Sequence, residues 1–114
     1  MANVPPVVTP LVPLRGSALY TWTLAHGDTP VAVEIPAGRD ISVYVGGTFA
    51  SATVTLQGSN DGTNYLGLND TAGSAISKSS AGLSMVKERT RYYKPAFSGG
   101  GGTEALVVSL FVTV

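Results

Sequence analysis

Residues 104–114 read EALVVSLFVTV. Leu106, Val108, Leu110, Val112 and Val114 recur at every second position. Successive side chains of a β-strand point to opposite faces, so this period places the five aliphatics on one face of a sheet. A helix would scatter them around its circumference. This stretch is the strongest strand in the sequence.

The same alternation recurs upstream. Residues 17–25 (SALYTWTLA) are rich in aromatic and β-branched types. Residues 30–35 (PVAVEI) set Val31, Val33 and Ile35 on one face, and residues 40–45 (DISVYV) do the same with Ile41, Val43 and Val45. In residues 52–57, Val54 and Leu56 point inward while Thr53, Thr55 and Gln57 point outward. Residues 64–68 read as a short strand and 74–78 as a weaker one. Residues 82–86 are likewise a weaker strand candidate, which admits a loop or a short helical turn. Residues 89–97 (RTRYYKPAF) read as a strand with Pro95 near its end or at an edge. The separators HGDTP, PAGRD, GGTFAS, SNDGTN, NDTAGS and SGGGGT are turn chemistry. In them glycine supplies positive φ, and Asn or Asp bonds its own backbone. About eight short strands so separated predict an all-β fold, an antiparallel β-sandwich of jelly-roll type. An immunoglobulin-like sandwich is the other topology open to this pattern.

The N-terminal segment differs. Pro5, Pro6, Pro10 and Pro13 fall within MANVPPVVTPLVP, and proline fixes φ and lacks an N–H. The segment is therefore neither helix nor central strand. Twelve such residues in an extended, polyproline-like state reach roughly 37 Å. The division is an extended arm over residues 1–16 and a sandwich domain over 17–114. Val4, Val7, Val8, Leu11, Val12 and Leu14 sit between the prolines, and aliphatics on a free tail would be a liability. The arm is expected to dock, either on its own domain or across a neighbouring subunit.

Composition sets outer limits. A chain of 114 residues fits one domain and buries roughly 65% of its unfolded surface. Without cysteine there is no disulfide framework, zinc–thiolate site or thiol nucleophile. Charged residues make up 12% and the formal net charge is zero, half the usual share of about 25%. So little charge protects a monomer poorly against association. Lys78, Lys87, Arg89, Arg91 and Lys94 crowd one stretch. They form either a solvated strand with its loop or a positive patch facing an acidic protein. The balanced charge and the lack of a recognised motif weigh against nucleic acid. No apolar run approaches the ~18–20 residues of a membrane helix, and the N-terminus lacks the basic region of a secretory signal.

No catalytic constellation emerges, so an enzyme is not expected. His26 is the single histidine, set in a turn sequence with no nucleophile or orienting partner in view. The carboxylates Asp28, Glu34, Asp40, Asp61, Asp70, Glu88 and Glu104 are scattered, and nothing selects a pair. SNDGTN lacks the carboxylate series of a calcium loop and reads as a hairpin turn with Asp61-Gly62 at its tip. Gly99 to Gly102 lack the Lys-Ser/Thr of a phosphate loop and read as a flexible hairpin tip. Asn69-Asp70-Thr71 matches the glycosylation sequon by chance. Trp22, Tyr20, Tyr44, Tyr65, Tyr92 and Tyr93 are core or interface residues, with a sugar-stacking platform as the alternative. No cofactor or metal is expected.

Taken together, the turn Gly58 to Tyr65, the short strand and Asp/Gly turn after it, Arg91 to Pro95, the glycine run and the final aliphatic strand resemble one family. It is the jelly-roll decoration, or cement, proteins of tailed-bacteriophage capsids, and the resemblance covers roughly residues 50–114. It implies a virion protein, made in the bacterial host cytoplasm, on the capsid exterior. Such a protein binds the major capsid protein after shell expansion and clamps neighbouring subunits against internal DNA pressure. It would act as a homo-oligomer, a dimer in preference to a trimer, with no nucleic-acid or membrane partner. The contacts expected are Val7, Val8, Leu11, Val12 and Leu14 from the arm, with Arg89, Arg91 and Lys94 toward acidic capsid surface. Turns of the SNDGTN kind also occur in discoidin-like carbohydrate-binding sandwiches. That leaves a glycan-binding module, or a tail or neck component, as the alternative.

Overall fold

The computed structural model describes residues 3–10, 17–35 and 40–113. The expectations for Leu11, Val12, Leu14, Val114 and the turn at 36–39 lie outside these residues. The elements are β1 (Asn3–Val4), β2 (Val7–Pro10), β3 (Ala18–Ala25), β4 (Thr29–Pro30), β5 (Val33–Glu34), β6 (Asp40–Thr48), β7 (Ala52–Ser59), β8 (Leu66–Gly67), β9 (Ser77–Lys78), β10 (Gly82–Met85), β11 (Tyr92–Gly99) and β12 (Ala105–Thr113). No helix occurs among the described residues.

Two sheets make the sandwich. The first has the order β10-β6-β12-β3-β2 and the second β5-β11-β7-β8, with β9 also on β7. A small parallel pair joins β1 to β4. Strand β12 lies at the centre of the first sheet, antiparallel to both β6 and β3. Leu106, Val108, Leu110 and Val112 are buried, as the alternation predicts. They meet Ile41, Val43 and Val45 from β6 and Trp22 and Leu24 from β3; Val54, Leu56, Tyr93 and Ile35 close the core from the other side. Each such side chain contributes about 1.5–3 kcal/mol on burial.

Register fixes which residues share the outer face of the first sheet. Leu83, Tyr44, Ser109, Thr21 and Val7 form one row across all five strands. Met85, Ser42, Phe111, Leu19 and Thr9 form the next.

Several boundaries differ from expectation. Residues 30–35 are not one strand. Val31 donates its N–H to Val4 and gives its carbonyl to the Trp22 indole N–H at 2.9 Å. The chain therefore leaves the ladder between β4 and β5, and Val31 is exposed. Strand β6 runs on through Gly46 to Thr48, so the turn is confined to Phe49–Ser51, closed by Ala52 N–H to the Phe49 carbonyl. The weak strand candidate at 82–86 is a strand over Gly82–Met85, paired with β6, and its loop or helical-turn alternative is excluded. Strand β11 begins at Tyr92 and not at Arg89, because Thr90 N–H donates to the Tyr93 hydroxyl (2.7 Å) and Thr90 Oγ1 to the Tyr92 carbonyl (2.9 Å). Pro95 lies within β11, opposite Leu56. The Leu56 carbonyl accepts from Leu68 on its other side, so no N–H is required of Pro95. On its remaining side β5 reaches only Tyr92 and Tyr93, which makes Pro95 a local edge.

Residues 3–10 form edge strands against β3 and β4 of this same chain. That fits proline, which tolerates edges and extended backbone.

Candidate functional site

The turn Ser59–Asn64 closes the β7–β8 hairpin, as expected. Its polar groups are turned on one another. Asp61 Oδ1 accepts from Thr63 N–H, Asn64 N–H and the Ser59 hydroxyl, each at 2.9 Å. Oδ2 accepts from the Asn64 amide at 2.7 Å. Ser59 Oγ in turn accepts from Gly62 N–H at 2.9 Å. The backbone donors of Asn64 and Thr63 hold the Asp61 carboxyl well below its ordinary range. Gly62 takes φ 80° at the tip, where other residues are strained. The carboxylate is a latch for the loop, already occupied by protein donors.

Two further turns follow the same pattern. Asp70 Oδ1 accepts from Ala72 and Ser74 N–H, both at 3.0 Å. Glu88 grips Asn69 twice, taking its N–H at 2.7 Å and its side-chain amide at 3.0 Å. The Asn69 bonds lower the Glu88 carboxyl, with the backbone donor foremost. Asn69, the sequon residue, is thus engaged through its amide.

The structure brings Arg91 and Lys94 together with tyrosines on the outer side of the second sheet. The Lys94 ammonium lies 4.2 Å from the Tyr65 ring centre, and the Arg91 guanidinium 5.3 Å from that of Tyr92. Arg91 also forms an ion pair with Glu34. Burial raises the Tyr65 hydroxyl above its ordinary pKa, assisted by Tyr92 and Asp61. Arg89 stands apart, bonding the Ile35 carbonyl at 2.5 Å and lying over the Tyr93 ring. Beside the turn is a recess of about 260 Å³ lined by Ser59, Asn64, Leu66, Glu88 and Thr90. Leu66 there is exposed.

His26 and Glu104 were not expected to meet. His26 Nδ1 lies 2.7 Å from Glu104 Oε2, and Glu104 is buried. Gly102 N–H donates to Oε1 at 2.9 Å. The His26 bond is the largest cause of a lowered Glu104 carboxyl. The glycine run is accordingly not a hairpin tip. Strands β11 and β12 belong to different sheets, and the run carries the chain between them around this carboxylate. A Cβ at Gly100 would overlap the Glu104 side chain. No sequence spacing foretells this pair, since 78 positions separate the two residues.

Of the expected arm contacts, Val7 and Val8 are exposed on edge strand β2 of the first sheet, while Arg91 and Lys94 belong with the second. Trp22 and Tyr93 are core, while Tyr44 is exposed and Tyr65 and Tyr92 are half-buried. Leu83 and Met85, also exposed, were missed. Their signal was present in the sequence as a neutral strand with no polar outward position. Among the described residues no three His, Asp or Glu gather as metal ligands.

The fold defines the class: an all-β, antiparallel sandwich of jelly-roll type. No family model matches the sequence, and no curated protein does. Among solved structures, a cupin domain from Bordetella pertussis Tohama I aligns over 99% of this chain and 96% of its own, with TM-score 0.52 and 9% identity. A protein from Neisseria meningitidis aligns over 95% of this chain and 83% of its own, with TM-score 0.39 and 9% identity. The likeness to the cupin domain is one of fold.

Proposed function

We propose that this protein is a structural component of a phage virion that binds the outer surface of the expanded capsid and clamps neighbouring major capsid proteins. The observation that carries the reading is how the exposed groups divide. The carboxylates of the turns are engaged by the protein's own donors, while Val7 and Val8 stand 68% and 49% exposed on the N-terminal edge strand. Groups latched to their own loops serve rigidity, and exposed apolar side chains at an edge serve docking. Many weak contacts repeated over a shell raise effective affinity without any single strong site. Binding rather than catalysis is the role this arrangement suits.

The test is addition of the purified protein to expanded capsids that lack it, with bound copies per particle counted by sedimentation and densitometry. Saturation at a stoichiometry matching shell symmetry is expected, and Val7→Asp with Val8→Asp should lower occupancy at least about tenfold. Absence of binding would overturn the reading.

A second reading, a carbohydrate-binding module, draws on Tyr65, Tyr92 and the recess beside the turn. A glycan array without signal above background would remove it.

A further inference from the structure

We propose that the outer face of the first sheet is where two copies of this chain meet, sheet against sheet. This inference does not depend on the capsid reading. Both rows that cross the five strands are free of charge, from Leu83 to Val7 and from Met85 to Thr9. The neighbouring row of Gly46, Val107 and Thr23 is also neutral. Asp40, opposite Thr113, and Lys87, which lines one recess with Asp40 and Met85, are opposite charges together at one corner of the face.

The face is apolar where it is open. Leu83 is 69% exposed, Met85 42% and Tyr44 39%, all at the β10–β6 end of the sheet, the far end from Val7 on β2. By contrast, Val31 and Leu66 are exposed as single residues elsewhere, which is ordinary. The Tyr44 ring lies across Gly46, and any side chain at that position would collide with it.

A second copy suits this face better than an unrelated partner for three reasons. In a two-fold contact each surface meets itself, so a charged patch would face its own sign. A neutral face escapes that repulsion. Next, the face holds both a protrusion and a dent. Leu83 stands out, and close by is a recess of about 330 Å³ lined by Ser42, Met85, Phe111, Thr113 and Asp40. Self-complementary contacts use such pairs. Finally, strand lengths and spacing give a projected face of ~550 Å². That lies at the low edge of the about 600–1,000 Å² per partner typical of stable complexes. Two such sheets would pack ~10 Å apart at a shallow crossing angle.

Sedimentation velocity on the full chain across about 1–100 μM tests this. The wild type should be a dimer with micromolar or tighter dissociation. Ser109→Arg, at the centre of the face, and Leu83→Arg, on its exposed rim strand, should each weaken the dimer at least about 100-fold, since like charges then meet in a desolvated contact. Gln57→Arg, on the second sheet, should leave it unchanged. Circular dichroism would verify that each variant is folded, and Leu83→Arg is tolerated by exposure even if Ser109→Arg is not. A wild type that stays monomeric at the highest concentration would overturn the proposal. So would a dimer indifferent to both face variants. A monomer whose capsid binding is abolished by Ser109→Arg would also overturn it and assign the face to the capsid.

Discussion

The two sheets share a core but turn different surfaces outward. On the second sheet, β7 presents Thr53, Thr55 and Gln57, and β11 presents Tyr92, Lys94, Ala96 and Ser98 in register with them. Glu34 pairs with Arg91 at the margin. This is a solvated face, on which hydroxyls, amides and charges predominate at the positions that point to water. On the first sheet the same alternation ends in Leu83, Tyr44, Val107, Phe111 and Leu19, interleaved with Ser and Thr. The low charge of the chain is therefore not spread evenly. One face carries charge and the other is largely neutral. The difference teaches that alternation establishes a buried inner face, while the character of the outer positions tells whether that face stays wet.

The comparison rests on the inner face alone holding the sandwich together. Leu110→Ala probes this most severely. Leu110 is fully buried at the middle of the central strand, and its truncation should cost about 2–5 kcal/mol through lost burial and a cavity. Urea denaturation at a concentration where the protein is monomeric would measure it. In the same experiment, Ser109→Arg, one position away on the opposite face, should change stability by less than about 1 kcal/mol. If the two variants were equally damaging, the outer face would be part of the fold and the distinction between the faces would collapse.

Most of the fold was legible because period two survives in every long strand. β6, β7 and β12 begin within one residue of where alternation put them, and β3 where its aromatic and β-branched composition did. What escaped depended on partners distant in sequence. The break at Val31 is made by the indole of Trp22 and the carbonyl of Val4, and neither is visible from PVAVEI itself. The glycine run looked like a hairpin because composition says nothing about which sheet each flanking strand joins. Its true duty, giving room to Glu104, required knowing that His26 lies alongside. The basic residues were correctly seen as a cluster in sequence, yet Arg89 faces Tyr93 and Ile35 while Arg91 and Lys94 face Glu34 and Tyr65. The neutral face was legible in principle, but only once register showed which outward residues stand side by side.

Acid should act through the loops and the second sheet and leave the neutral face untouched. Asp61, Glu88 and Glu104 each have a folded-state pKa below the ordinary value. A depressed pKa means that the ionised form is favoured by folding. Its stabilisation is complete above the unfolded values of 3.8 for Asp61 and 4.5 for the glutamates and is lost as pH falls through the folded ones. The thermal midpoint should hold steady near neutrality and decline below about pH 4.5. Asp61→Asn should lower the midpoint at pH 7 and flatten the acid decline, because the variant can no longer lose that latch. An acid profile identical to wild type would show that the Asp61 bonds contribute nothing net.

The smallest effect sharpens the comparison most. Arg91 and Glu34 form a well-matched pair, and a reading by contacts alone would credit it with holding the edge of the second sheet. Both side chains are substantially open to water, at 58% and 40%, so solvent screens their attraction and mobility offsets it. β5 is held instead by the backbone bond from Ile35 N–H to the Arg91 carbonyl at 2.8 Å, and by Ile35 itself, which is buried in the core. Arg91→Ala should therefore leave the thermal midpoint unmoved at both low and high salt. A salt-sensitive loss would mean that charge on the second sheet is structural. The contrast between the faces would then be one of construction, with ion pairs bracing one sheet and apolar contact completing the other.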